Sequence, residues 1–357
     1  MRIKYLSLFS GIGGFELGIQ QAYENYNRLD LQKQTTEDIR AGESNSKSLS
    51  CRRPTCIGYS EIDKYAIQVY KKHFPNHKNY GDINKINAND LPDFDLIVGG
   101  FPCQSFSIAG KRRGFKDTRG TLFFEIARII RKKQPRLLLL ENVKGLLSHD
   151  KGNTFTTIIS TLDELGYDCQ WQVLNSKNFG VPQNRERVFI IGHLRGTPRP
   201  EVFPFGQDDK ENTESKKMGR NTVSATVSTR TGSTAGGQQF INVVGTLDEG
   251  TWKKRNESIR RVYGTDGIAP TIPTGGGGGV MPKLLKDTKI RRLTPIECER
   301  LQGFPDDWTS EGTEGKISDS QRYKMCGNAV TVNVIQAIME KLIKCQTTAP
   351  TTNGEKT

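Results

Sequence analysis

Residues 137–140 are four consecutive leucines, and the run closes in Glu141-Asn142-Val143. A strand-length stretch with no polar position has no face to turn toward water. It belongs to a sheet covered on both sides, and parallel sheets wrapped by helices are where such strands occur. The flanking sequence repeats the theme. "KYLSLF", "CIGYSE", "DLIVGG" and "ERVFIIGHL" have strand length, whereas "FELGIQQAY", "DKYAIQVYKKHF" and "TLFFEIARIIRKKQ" read as helices. The last of these places Leu122, Phe123, Ile126, Ile129 and Ile130 at helical spacing. Alternating strands and helices predict an α/β fold built on a mostly parallel sheet. The 357 residues leave room for a second, smaller domain.

In open sheets of this kind ligands sit outside the carboxyl ends of the strands. The "SGIGG" turn, Glu61, Cys103 and Glu141 each follow a predicted strand, so residues spread over 130 positions converge on one edge. Cys103 alone reads as readily as a small packed hydrophobe. Beside a glycine turn and two carboxylates it reads as chemistry. "SGIGGFELG" falls short of the full dinucleotide fingerprint. In a strand–turn–helix setting it still lets a ligand approach the backbone, while Glu61 has the position to grip ribose hydroxyls. Asp82 in "YGDI" adds an acceptor for an adenine amino group. The set suggests a nucleoside-bearing cofactor.

Charge points to the partner. Lys and Arg number 52 against 39 Asp and Glu, a net charge of +13, which favours a polyanion with phosphate contacts. Seven scattered cysteines have no framework spacing and imply reduced thiols. Cys51, Cys56, His73 and His77 are too loosely spaced for a zinc site, so no metal is expected. No run of 18 apolar residues exists and "MRIKYLSLFSGIGG" does not read as a signal peptide, so the expectation is a cytoplasmic protein without a membrane partner.

Nine stretches occur in order along most of the chain: "LFSGIGGFELG", "SEIDKYA", "GDI", "GGFPCQSFSIAG", "RGTLFFEIARII", "ENVKGLL", "FGVPQNRERVFIIG", "RRLTPIECERLQGFPDDW" and "YKMCGNAVTVNVI". Together they resemble the cytosine-C5 DNA methyltransferase family of bacterial or phage restriction-modification systems. The resemblance implies a Rossmann-like S-adenosylmethionine-dependent methyltransferase sheet with a smaller, irregular, mostly-β target-recognition domain. It assigns S-adenosylmethionine, with S-adenosylhomocysteine as product, to a pocket of Phe9, Gly11, Gly13, Glu61, Ile62, Asp82, Ile83, Leu122 and Asn328. Phe9 would stack on the adenine, Glu61 would bind the ribose, and Asp82 with Ile83 would hold the adenine. Ser7 stands where many members carry an acid, Ala329 where some carry serine, and Ile62 where some carry tryptophan.

By the same resemblance Cys103, Glu141, Arg185 and Arg187 are catalytic. Carbon 5 of cytosine is a poor nucleophile, and thiolate addition at carbon 6 converts the ring into an enamine. Glu141 would bond ring nitrogen 3 and the exocyclic amine, and Arg187, helped by Arg185, would hold the ring carbonyl. The base must leave the duplex for this. Gln104 to Arg119, carrying Lys111, Arg112, Arg113, Lys116 and Arg119, is expected to be a lid over the flipped base that meets phosphates.

The implied domains are a catalytic and cofactor-binding domain over 1–203 with a polar surface insertion near 27–55, target recognition over 204–290, a hinge over 291–322, and a segment over 323–345 returning to the first domain. Residues 346–357 read as a disordered tail. "FGQDDKENTESKKMGRNTVSATVSTRTGSTAGGQQ" is polar and without helical period, and "RRVYGTDGIAPTIPTGGGG" resembles the recognition region of small bacterial members. There Arg261, Tyr263 and Thr271 are expected DNA contacts. Double-stranded DNA is the expected partner of a monomer, with a cognate restriction endonuclease acting on the same site. Two readings compete: an RNA (tRNA) cytosine-C5 methyltransferase, whose usual Cys-Phe-Thr element is absent here, and a non-catalytic DNA-binding regulator, against which the intact Cys103, Glu141 and Arg187 argue.

Overall fold

The computed structural model describes residues 3–41, 53–102, 122–205, 243–247, 260–265, 267–273, 281–286 and 289–347. Its larger part begins with β1 (Lys4–Leu8), α1 (Gly14–Ala41), β2 (Thr55–Ser60), α2 (Lys64–His73), β3 (Leu96–Gly100), α3 (Leu122–Lys133) and β4 (Leu137–Val143). It continues with α4 (Asn153–Glu164), β5 (Tyr167–Asn175), the two-residue β6 (Gln183–Asn184) and β7 (Glu186–Leu194). Six strands form one sheet in the order β2-β1-β3-β4-β7-β5. The first four run parallel, whereas β7 lies antiparallel to both β4 and β5.

The leucine run shows why the sheet needs two covers. Side chains alternate along a strand, so Leu138 and Leu140 face one cluster with Ile126, Ile130, Ile158 and Leu162 of α3 and α4. Leu137 and Leu139 face the other, with Phe15, Ile19 and Tyr23 of α1 and with Ile335, Ile338 and Met339. All four leucines are at most 2% exposed. At roughly 2 kcal/mol for each buried leucine, neither cover is dispensable.

A second sheet follows, ordered β12-β11-β9-β8, from β8 (Val243–Thr246), β9 (Arg261–Tyr263), β11 (Lys283–Lys286) and β12 (Lys289–Arg292). The short β10 (Ala269–Pro270) instead pairs with β6 in the larger part. Helix α5 (Pro295–Leu301) starts at a capping box of Thr294 and Glu297, and Arg291 grips Glu297 with both terminal nitrogens at 2.8 and 2.7 Å. A small hairpin, β13 (Glu311–Gly312) with β14 (Gly315–Lys316), precedes α6 (Asp319–Asn328) and α7 (Val332–Thr347). The last helix packs against α1. A Cβ on Gly18 would lie 2.7 Å from Cβ of Ile335 and 2.8 Å from the Val332 carbonyl, so glycine permits that approach.

Helix α1 spans 28 residues to Ala41, so the first half of the expected 27–55 insertion is helix. Good helix formers such as Glu, Leu, Gln, Lys and Arg carry it past Tyr26 without the apolar stripe that would reveal it. Strand β5 was not anticipated. Among the described residues it is an edge strand that pairs only with β7, and Asp168, Gln170 and Gln172 interrupt its apolar positions. No helix among the described residues is long and apolar enough to cross a membrane.

Candidate active site

One cleft of about 320 Å³ opens at the carboxyl ends of β1 to β4, lined among others by Phe9, Gly11, Glu61, Pro102, Glu141, Arg185, Arg187 and Asn328. Its first wall is the turn after β1. Phe9 takes a left-handed backbone, φ 54°, a conformation that costs a non-glycine residue on the order of 1 kcal/mol and marks a constrained site. Gly11 and Gly13 follow at φ 55° and 90°. A Cβ on Gly13 would lie 2.5 Å from the Phe74 ring, and one on Gly11 would meet nothing within 4 Å, which leaves open space beside the turn.

Glu61 fixes this wall. Its Oε2 accepts from the Gly11 amide at 2.9 Å, and Oε1 accepts from the amides of Ile62 and Asp63, both at 2.8 Å. Asp63 caps α2 by accepting from Tyr65 and Ala66, and pairs with Lys324 of α6 at 2.7 Å. Ile62 between them is 73% exposed, an apolar side chain left uncovered beside the cleft.

The second wall comes from β3, β4 and β7. In the ladder Gly100 lies opposite Glu141, and a Cβ on Gly100 would come within 2.9 Å of the Glu141 Oε2. A missing side chain on β3 thus makes the space for the carboxylate. Val143 lies opposite Arg187 and Glu141 opposite Phe189, so Glu141 and Arg187 are diagonal neighbours on one face, within reach of long side chains. Arg187 Nε sits 3.1 Å from Glu141 Oε1. Burial pushes the Glu141 carboxyl above its ordinary range, with Arg187 and Arg185 pulling it back. Burial lowers both arginines, Arg185 to about 9. Asn142 faces the other way. Its Nδ2 donates to the Phe101 carbonyl at 2.9 Å, which ties the chain entering Pro102-Cys103 to β4.

Cys103, Gln104, Lys111, Arg112, Arg113, Lys116 and Arg119 lie outside the described residues. Gly13, Ile62, Asp82, Ile83 and Leu122 are not among the residues that line the cleft. Asp82 caps the short turn after it, accepting from Asn84, which lowers its carboxyl. Ile83 is 2% exposed, and its carbonyl accepts from Arg128 at 3.0 Å. Leu122 opens α3 and packs beside the core. In the second sheet Tyr263 is 6% exposed. Arg261 is half-buried. Thr271 is exposed, yet its hydroxyl donates to the Asn184 carbonyl at 2.6 Å. Asp63 was not anticipated in the cleft, although an aspartate just before a helical period is an N-cap signal.

This architecture, with carboxylate, arginine and proline at the strand ends of a methyltransferase-like sheet, agrees with the comparisons. The model of the C-5 cytosine-specific DNA methylase family matches residues 3–344. Type II methyltransferase M1.ScrFI of Lactococcus lactis subsp. cremoris is 37% identical over 360 residues, covering 96% of this chain and 78% of that protein. Type II methyltransferase M.HhaI of Haemophilus parahaemolyticus is 36% identical over 342 residues, covering 94% and 93%. Among solved structures, the S. pombe Dnmt2 methyltransferase has a TM-score of 0.62 at 19% identity, with 96% of this chain and 99% of that chain covered. A DNA modification methyltransferase encoded within an E. coli prophage has 0.58 at 20%, with 97% and 99% covered. These two likenesses are of fold.

The chain belongs to the C-5 cytosine-specific DNA methylase family, whose members are S-adenosylmethionine-dependent methyltransferases. Its activity is that of a DNA (cytosine-5-)-methyltransferase, and its relatives are bacterial type II enzymes.

Proposed function

We propose that the protein methylates carbon 5 of a cytosine flipped out of a specific short sequence in double-stranded DNA, through a covalent adduct with Cys103. The observation that carries this reading is the cleft in which the glycine turn and Glu61 share one space with Pro102, Glu141 and Arg187. S-adenosylmethionine fits its first wall: open space beside Gly11, an anchored carboxylate at Glu61, and uncovered apolar surface at Ile62. Phe9, Gly11, Gly13, Glu61, Ile62, Asp82, Ile83, Leu122 and Asn328 would hold it, and of these Phe9, Gly11, Glu61 and Asn328 line the cleft. When bound, it supplies the methyl group to carbon 5 and leaves as S-adenosylhomocysteine.

The protein's own residues prepare the ring. The Cys103 thiolate forms a bond to carbon 6, and the displaced electron pair makes carbon 5 nucleophilic. Glu141, whose carboxyl burial raises, shares a proton with ring nitrogen 3 as negative charge grows there. Arg187 stays cationic and holds both Glu141 and the ring carbonyl. Afterwards the carbon-5 proton leaves to water, the carbon–sulfur bond breaks, and the thiolate is restored. The segment 104–119 closes over the base with its basic residues on phosphates, and 204–290 reads the sequence, with 323–345 completing the catalytic domain. The enzyme works in the cytoplasm as a monomer, paired with an endonuclease of the same specificity.

Incubation with labelled S-adenosylmethionine and plasmid DNA, followed by mapping at base resolution, should find cytosine methylated in one short motif. Cys103→Ala should abolish transfer while retaining S-adenosylhomocysteine binding, and duplexes with 5-fluorocytosine at the target should trap a covalent complex. Normal turnover by the alanine variant, or methylation of RNA in place of DNA, would overturn the reading.

A further inference from the structure

Arg185 sits two residues before Arg187 and is placed differently. It is 2% exposed. Its Nη2 donates to the carbonyls of Gly327 at 3.0 Å and Ala329 at 2.8 Å. Those carbonyls end α6, where the unpaired acceptors of a helix C-terminus favour a cation. Asn328 lies between them, and it is exposed and lines the cleft. The Arg185 amide in turn donates to Asn175 Oδ1 at 3.1 Å, which fixes the start of the strand that carries Arg187. Its Nε and Nη1 have no hydrogen-bond partner among the described residues.

The guanidinium therefore joins two parts of the chain that are 142 residues apart. On one side stands the Glu141–Arg187 pair, and on the other the α6 terminus that presents Asn328. We propose that Arg185 is a positioning residue for the cofactor wall: it holds the Gly327–Ala329 turn so that Asn328 faces the cleft, and it links occupancy of that wall to the strand start that bears Arg187. This rests on the proposed cofactor site. It moves Arg185 from contact with the ring to support of the far wall, and it separates the two arginines of the Gln-x-Arg-x-Arg stretch by task.

Gln183 supplies the control. Its Nε2 donates to the Leu301 carbonyl at 2.8 Å, so it too tethers a helix end, but that of α5, and Leu301 is not among the residues lining the cleft. A lysine at 185 keeps the charge, but its ammonium ends one bond short of Nη2, the single nitrogen that reaches both carbonyls.

Equilibrium binding of S-adenosylhomocysteine without DNA is the first readout, on proteins whose folding is checked by thermal unfolding. Arg185→Lys should weaken binding about tenfold, since ordinary charge-assisted bonds to two carbonyls are at stake. Arg187→Lys should bind within about twofold of wild type and lose turnover instead. Gln183→Ala should lower the melting temperature and leave binding alone. The second readout needs no variant: in wild-type protein, saturating S-adenosylhomocysteine should slow amide exchange at 325–331 and also at 183–187. An Arg185→Lys protein that binds as wild type does, or protection of 325–331 without 183–187, overturns the inference. Failure of wild type to bind S-adenosylhomocysteine at all would instead overturn the cofactor site.

Discussion

Replacing Glu16 with glutamine should stabilise the protein at alkaline pH and do little at acidic pH. Glu16 lies in the first turn of α1, directly after the glycine turn, and is 1% exposed. Its Oε1 accepts from the Tyr70 hydroxyl at 3.0 Å, whose oxygen is also 3.0 Å from Nδ1 of His77. When Tyr70 donates to Glu16, Nδ1 of His77 carries the proton that faces the Tyr70 oxygen. The Ser7 hydroxyl beside Glu16 lowers its carboxyl, and Tyr5, Cys56 and Tyr59 all feel its charge. Burial raises the carboxyl from 4.5 to about 7. An unfolded chain ionises this group near 4.5 and the folded one near 7, so the stability it contributes is complete below pH 4.5 and is lost as pH rises through about 7. At about 1.4 kcal/mol per tenfold change, ionised Glu16 costs roughly 3 kcal/mol at pH 8. Glutamine keeps the shape and an acceptor for Tyr70 while removing the ionisation. Thermal unfolding of both proteins from pH 5 to pH 8 should show a gap that opens with pH and reaches on the order of 5 °C in favour of the variant. A difference that does not change with pH, or a variant less stable at pH 8, would refute the assignment of a protonated, buried Glu16.

Three further outcomes follow from the same geometry. Glu141→Gln should reduce turnover by roughly 10²- to 10⁴-fold in a labelled methyl-transfer assay, the usual worth of a positioned acid, while S-adenosylhomocysteine binding stays unchanged. Gly100→Ala forces a methyl group to within 2.9 Å of Glu141 Oε2, so activity should fall at least about tenfold with the fold intact by circular dichroism. Gly18→Ala pushes α1 off Ile335 and the Val332 carbonyl, and urea unfolding should register a loss of roughly 2 kcal/mol, in the range for overpacking.

Much of the site was legible because its residues follow strands. Glu61, Pro102 and Glu141 close predicted strands and line the cleft, since parallel strands deliver their carboxyl ends to a single edge. The glycine turn was legible as a turn, but not as the reason Phe9 is held left-handed or Phe74 can approach Gly13. Gly100 was invisible as a site residue, because its role is to be absent beside a side chain on the neighbouring strand. The contrast between Arg261 and Tyr263 was equally out of reach: an irregular sheet has no clean alternation from which to read which side chain it encloses.

The amino-acid sequence alone determined the layered α/β core, through the all-apolar leucine run and the helical periods around it, and it determined which residue types stand at the strand ends. Tertiary structure alone decided the direction of β7. "ERVFIIGHL" reads as a strand with no arrow, and had it run parallel to β4, Arg185 and Arg187 at its start would lie at the far edge of the sheet. Antiparallel pairing brings Arg187 opposite Val143 and 3.1 Å from Glu141. Strand direction is set by which neighbours pair and by the chain path between them, and these are long-range choices that local spacing does not encode. The same holds for Asn328, whose place in the cleft depends on a guanidinium 142 residues away from its neighbour Gly327.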